Sequence, residues 1–378
     1  MDFDFLSPID ERLLAHNLML PEQVIGRNLS IHTQKDGIPE LTDVRVALVS
    51  LEPRLVKGEP LHLRFRHQFY QLFVGNWDFP CADLGVLHSG DHPKDTLFAL
   101  KTLVKELHQR NIFTIVVGGE QENTLGMFRG LSGMNTYVNL TSIDARFDFG
   151  EPGILVSDDS YMSNIITEKP NNLKQFTNLG YQSYYISQEE LDLMQKLFFD
   201  AYRLGDIAAD LHESEPILRD TDILSVDLSS VKASELDDPK GLPNGFDGAQ
   251  ICKLMRYAGL SDRLSVLGVF NISDSLRTDQ LLAQMIWYVL EGYCHRVNEY
   301  PFSTHEVCTK FVVPQEQAAL IFYRSEKSQR WWIEVPKEGN YNNNDQVTLL
   351  PCAEKDYRLA QKGEVPSRWW KSVKRSMH

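Results

Sequence analysis

The sequence predicts an α/β protein built on a mostly parallel sheet, on three observations. Apolar, β-branched runs of four to eight residues recur along the chain, segments with helical spacing separate them, and most runs end at Gly, Asp or Ser. Strands buried on both faces and joined by crossover helices have this appearance. A chain of 378 residues with 42% hydrophobic and 24% charged residues can fill the core such a sheet needs.

In chain order, residues 1–42 contain Pro8, Pro21, Gly37 and Pro39 and little sustained periodicity, and are expected to wrap the surface. Val44–Ser50 opens the sheet. Asp95–Gln109 carries Leu97, Leu100, Val104 and Leu107 on one face, with Asp95 placed to accept first-turn amides, as a crossover helix would. Ile112–Val117, Thr136–Ile143, Tyr181–Ile186, Ile223–Leu228 and Leu264–Phe270 read as further strands. Leu281 to Val297 reads as the helix that ends an α/β domain of residues 43–300, with Leu282, Met285, Ile286, Val289 and Leu290 on its stripe. Residues 301–378 change character. Lys310–Val313, Ala318–Tyr323 and Trp331–Val335 run at strand length, and Asn340–Asn344 is a turn-forming cluster, so a β-rich extension is expected.

Composition also narrows the function. With 38 basic against 52 acidic residues the net charge is −14, which repels a phosphate backbone, so nucleic acid is not an expected partner. The five cysteines are scattered without a CxxC pair, as reduced thiols in the cytoplasm would be. The N-terminus has no signal-peptide pattern and no run of 18 apolar residues occurs, so no membrane is expected.

Ligands of doubly wound sheets gather at the carboxyl ends of strands. Three such ends carry acids: Gly118-Gly119-Glu120-Gln121-Glu122 after the second strand, Asp144-Ala145-Arg146-Phe147-Asp148 after the third, and Asp227-Leu228-Ser229 after Ile223. With the Asp238-Pro239 and Pro243-Asn244-Gly245 loop, these segments resemble, in order and spacing, the arginase, agmatinase and formimidoylglutamase family, the ureohydrolases. The similarity runs from about Val44 to Val297. It implies a three-layer α/β/α ureohydrolase-like fold. It also implies a pair of manganese ions held by two His and four Asp, with a metal-bound hydroxide attacking a guanidino or amidine carbon. Such an ion lowers the pKa of its water from about 15.7 to about 7.

Carried over position by position, the resemblance keeps Asp144, Asp148 and Asp227 and replaces the other three ligands with Gln121, Arg146 and Ser229. Both imidazoles are lost, and a guanidinium has no lone pair to give a metal. Arg146 is therefore expected to neutralise Asp144 and Asp148 in place of the metal, as a salt-bridged pseudo-site. The family's glutamate for the substrate's guanidino end is replaced by Asn271-Ile272-Ser273-Asp274, with Asp274 or Glu122 as the acids able to substitute for it. Glu120 and Glu122 read equally as helix caps and as acid–base groups.

Two functional readings follow. One is a pseudoenzyme without cofactor, acting as scaffold, regulator or ligand-binding protein. The other is a C–N hydrolase with an oxygen-only Mn²⁺ or Mg²⁺ site at Asp144, Asp148 and Asp227. Family likeness implies a homo-oligomer, a trimer or hexamer. His88 and His92 read as loop residues before a metal pair. Trp331, Trp332, Trp369 and Trp370, in two Arg-Trp-Trp copies, read either as staples holding the extension down or as a docking surface for another protein.

Overall fold

The computed structural model describes residues 3–52, 58–134, 137–151, 156–299, 308–315, 319–336 and 347–375. The N-terminal part supplies β1 (Leu6–Ser7), α1 (Glu11–Leu18) and β2 (Leu29–Ile31). The sheet domain continues with β3 (Val46–Glu52), α2 (Leu61–Tyr70), β4 (Cys81–His88), α3 (Pro93–Gln109), β5 (Phe113–Val117), α4 (Thr124–Ser132) and β6 (Val138–Ile143). Then come α5 (Tyr161–Thr167), β7 (Leu173–Tyr181), α6 (Gln188–Lys196), β8 (Asp200–Arg203), α7 (Leu204–Ala209), α8 (Glu215–Arg219) and β9 (Ile223–Asp227). It closes with α9 (Ala233–Leu236), α10 (Gly248–Gly259), β10 (Val266–Phe270) and α11 (Leu276–Cys294). The extension is β11 (Cys308–Val313), β12 (Leu320–Ser325), β13 (Trp331–Pro336), β14 (Val347–Cys352), α12 (Glu354–Gln361) and α13 (Ser367–Arg375).

The main sheet runs β1-β4-β3-β5-β10-β9-β6-β7-β8, with β2 also on β4, and every pairing except that of β1 is parallel. Strands β3, β5, β6, β9 and β10 are buried along their whole length. Helices cover both faces and make two apolar cores. Against one, α3 turns in Leu97, Leu100, Leu103, Val104 and Leu107; against the other, α10 and α11 place Leu254, Met255, Leu282 and Met285. Fully burying each such side chain contributes about 1.5–3 kcal/mol.

Two expectations are corrected. Tyr181–Ile186 is not a strand: β7 ends at Tyr181 and Ser183–Tyr185 is a 3-10 turn. The real strand begins at Leu173, where Lys174, Gln175 and Asn178 break the apolar run. Residues 1–42 do more than wrap, because β1 and β2 both pair with β4 and extend the sheet. The extension carries the expected β structure as a four-stranded antiparallel sheet, followed by two helices. The Asn340–Asn344 cluster lies outside the described residues.

Arg-Trp-Trp is a staple. Trp331 and Trp332 are buried, Trp369 donates its indole N–H to the Glu334 carbonyl at 2.6 Å, and Trp370 is the exposed member. From α8, the buried Arg219 guanidinium lies 4.6 Å from the Trp332 ring and donates to the carbonyls of Trp331 (3.2 Å) and Cys352 (3.1 Å). Lys371 of α13 pairs with Asp200 on the β8 edge at 2.6 Å.

Candidate functional site

The strand order explains why residues far apart in sequence meet. β5, β10, β9 and β6 are consecutive neighbours, so the segments after Val117, Phe270, Val226 and Ile143 leave the same edge side by side. Register places Ile143 beside Val226 and Phe270 beside Asp227. Gly118 and Gly119, at φ 101° and 74°, turn the chain off β5, and a Cβ on Gly118 would stand 2.5 Å from the Leu51 carbonyl oxygen.

Three of the predicted acids come together there. Asp144 is 2% exposed, and its Oδ1 accepts the backbone N–H of Arg146 at 2.8 Å. Asp227 Oδ1 accepts the Ser229 N–H at 2.6 Å, and Oδ2 accepts from the Asn271 side-chain amide at 3.0 Å. Asp148 and Asn271 both occupy the left-handed region, at φ 57° and 56°, which Asp and Asn tolerate better than most residues. Asp144 Oδ2 and Asp148 Oδ2 are buried without a hydrogen-bond partner.

Burial raises the pKa of all three carboxyls. Asp144 is pushed up further by the charge of Asp227, against the pull of the Arg146 N–H, and Asp148 further by Asp144 and Asp227. Asp227 rises less, because Ser229 and Asn271 donate to it. A proton retained by Asp148 is within reach of Asp144, so the pair can share it.

Arg146 does not play the expected part. It is exposed, its guanidinium stands 4.8 Å from the centre of the Tyr185 ring, and it forms no ion pair with a described carboxylate. The salt-bridged pseudo-site is therefore corrected: at the surface the guanidinium keeps its hydration and gains a π face, whereas among the carboxylates it would lose water. Gln121 is buried, and its amide nitrogen reaches Tyr161 Oη (3.2 Å) and Ser225 Oγ (3.3 Å). Ser229 caps Asp227. Asp274 is also displaced from its expected role, since its carboxylate pairs with Arg64. His92 forms the N-cap of α3.

Sequence reading missed two residues. Tyr161 is fully buried among Asp148, Asp144 and Asp227, whose charges, after burial itself, raise its pKa. Asp158 accepts the Glu122 backbone N–H at 2.9 Å, and Asn271 donates to it as well as to Asp227. Glu120, Glu122 and Asp158 each bring a carboxylate oxygen within 4.8 Å of the others; among the described residues this is the one group of three so arranged. Burial first, then Glu120 and Asp158, push Glu122 up to about 7.

Residues 52–231 match the family model described as arginase family. Residues 52–231 are an arginase-family domain. No curated protein sequence matches the chain. Among solved structures, formiminoglutamase of Trypanosoma cruzi, solved with Mn²⁺, superposes with a TM-score of 0.63 at 14% identity, over 72% of this chain and 99% of that one. Formimidoylglutamase of Bacillus subtilis gives 0.59 at 13% identity, over 75% and 99%. A hypothetical agmatinase of Burkholderia thailandensis gives 0.52 at 15%, over 68% and 87%. The ureohydrolase fold is thus shared.

The donor set of this domain differs from the two His and four Asp that the family resemblance implies. Among the described residues the three convergent carboxylates are Glu120, Glu122 and Asp158 rather than Asp144, Asp148 and Asp227, and the positions where the resemblance implies the other three ligands hold Gln121, Arg146 and Ser229. What the arrangement can do is hold protons: two orphaned carboxylate oxygens beside a buried phenol form a small acidic cluster with which no described Lys or Arg pairs.

Proposed function

We propose that this chain is a non-hydrolytic member of the arginase family, a pseudoenzyme that keeps the fold as a scaffold, regulator or ligand-binding platform. One observation carries the reading. Arg146, at the position where the resemblance implies an imidazole, lies on Tyr185 outside the acidic cluster, and among the described residues no cationic side chain pairs with Asp144 or Asp148. Without an activated water, attack on a guanidino or amidine carbon loses its nucleophile. By likeness to the family the protein works as a trimer or hexamer, and its composition suits the cytoplasm. No described helix is long and apolar enough to cross a membrane.

The test is turnover. Protein incubated with Mn²⁺ and formiminoglutamate, agmatine or arginine releases no formamide, ammonia or urea above the buffer rate; release that depends on Asp227 would refute the reading. A second reading, a hydrolase with an oxygen-only metal site, is favoured by the convergence of Glu120, Glu122 and Asp158. It requires Mn²⁺ or Mg²⁺ binding that Glu122→Gln abolishes.

A further inference from the structure

A groove of about 980 Å³ runs along the outward face of α3, and its lining includes none of the acids of the cluster. Lys94, Phe98 and Lys101 of α3 form one wall, Lys169 in the α5–β7 connection stands on the other, and the end of α4 contributes Arg129. Spacings of four and three residues bring the first three onto one side of the helix. Phe98 is 68% exposed, while its neighbours Leu97 and Leu100 are buried.

The groove reverses the sign of the chain. Its lining carries four cationic side chains, Lys94, Lys101, Arg129 and Lys169, against Asp95 and Glu168, in a protein of net charge −14. Both acids are engaged: Glu168 pairs with Arg129 at 2.7 Å, and Asp95 accepts the His92 N–H at 3.1 Å in the α3 cap. None of the three lysines forms an ion pair with a described residue. An exposed ring between unpaired lysines on one helix face offers an apolar anchor point flanked by positive charge.

We propose that this groove is a docking site for an acidic segment of another protein that carries an apolar side chain. Carboxylates of the segment face Lys94, Lys101 and Lys169, and its apolar side chain covers Phe98. A nucleic acid is disfavoured by the net charge of the rest of the molecule.

The test pans a phage-displayed library of random peptides against the full chain, then measures synthetic versions of the enriched sequences by fluorescence anisotropy. Enriched peptides are rich in Asp and Glu and contain an aromatic or aliphatic residue. The paired substitution Lys94→Glu with Lys101→Glu weakens their binding by about tenfold or more, and added salt weakens it in the wild type. Phe98→Ala weakens it by about tenfold. Lys105→Glu, on the same helix but outside the groove, changes it by less than about twofold. All of these positions lie on the helix exterior, and circular dichroism confirms that each variant is folded. Failure to enrich acidic peptides, or enriched peptides indifferent to the paired charge reversal, overturns the proposal. So does a groove that takes inorganic polyphosphate while enriching no peptide.

Discussion

Arg146 lays its guanidinium over the ring of Tyr185, 4.8 Å from the centroid, while only its backbone N–H reaches Asp144, at 2.8 Å. The peptide group and the side chain thus serve different partners. The Arg146 N–H holds the Asp144 carboxylate in the turn after β6, while burial and the charge of Asp227 favour its protonated form.

Arg146→Ala should therefore be nearly silent for stability. An exposed cation–π contact is worth about 0.5–1 kcal/mol, whereas breaking a buried ion pair costs about 3–5 kcal/mol. Urea unfolding of this variant is expected to move by less than about 1 kcal/mol. A loss several times larger would mean that the guanidinium does neutralise the acids.

Asp148→Asn should stabilise the protein at pH 8. Asn tolerates the left-handed backbone at this position, and the change removes the cost of keeping a buried carboxyl protonated beside Asp144 and Asp227 at a pH where the unfolded chain would ionise it. A gain of about 1–3 kcal/mol is expected in urea unfolding. A loss of stability that added Mn²⁺ deepens in the variant relative to wild type would show Asp148 acting as a metal ligand.

The same acids set the pH dependence. In the unfolded chain their carboxyls titrate near 4. In the folded chain, burial with the charge of Asp227 holds Asp144 at about 7, and burial with Glu120 and Asp158 holds Glu122 at about 7. Between those limits the native state keeps protons that the unfolded state has released, so this contribution to stability falls as pH rises. Thermal melts should show Tm dropping from pH 5.5 to pH 8, with a shallower drop in Asp148→Asn. A Tm that climbs over this range in wild type would contradict the protonated cluster.

How much of this was legible depended on where each side chain's partners lie in the sequence. β5, β6, β9 and β10 were readable because both faces of a central parallel strand are buried, which forces an unbroken apolar run. β4 escaped because Asp83 and Gly85 interrupt it. The buried Arg66 guanidinium satisfies Asp83 at 2.7 and 2.8 Å, a partner seventeen residues away that no local pattern announces. The acids that directly follow strands were readable for the same reason as the strands. Asp158 and Tyr161 were not, since they come from the α5 approach and enter the site only through the tertiary fold. The direction of Arg146 was equally hidden, because charge alone favours pairing with Asp144 and only the position of Tyr185 shows an outward alternative.

The extension should unfold with the sheet domain as one unit. Arg219→Ala removes the stacking on Trp332 and two hydrogen bonds to buried carbonyls, at a cost of about 2–4 kcal/mol. Tryptophan emission should shift to the red in the variant at urea concentrations where the wild type is still folded. Unchanged emission and midpoint would mean that the extension is held by other contacts.

The most direct test is the metal content of the full chain. Protein expressed with Mn²⁺ supplied and purified without chelator is measured by inductively coupled plasma mass spectrometry. The expected result is manganese far below one ion per chain, unchanged in Asp144→Asn and Asp227→Asn. One or two tightly held manganese ions per chain, lost in those two variants, would contradict the account.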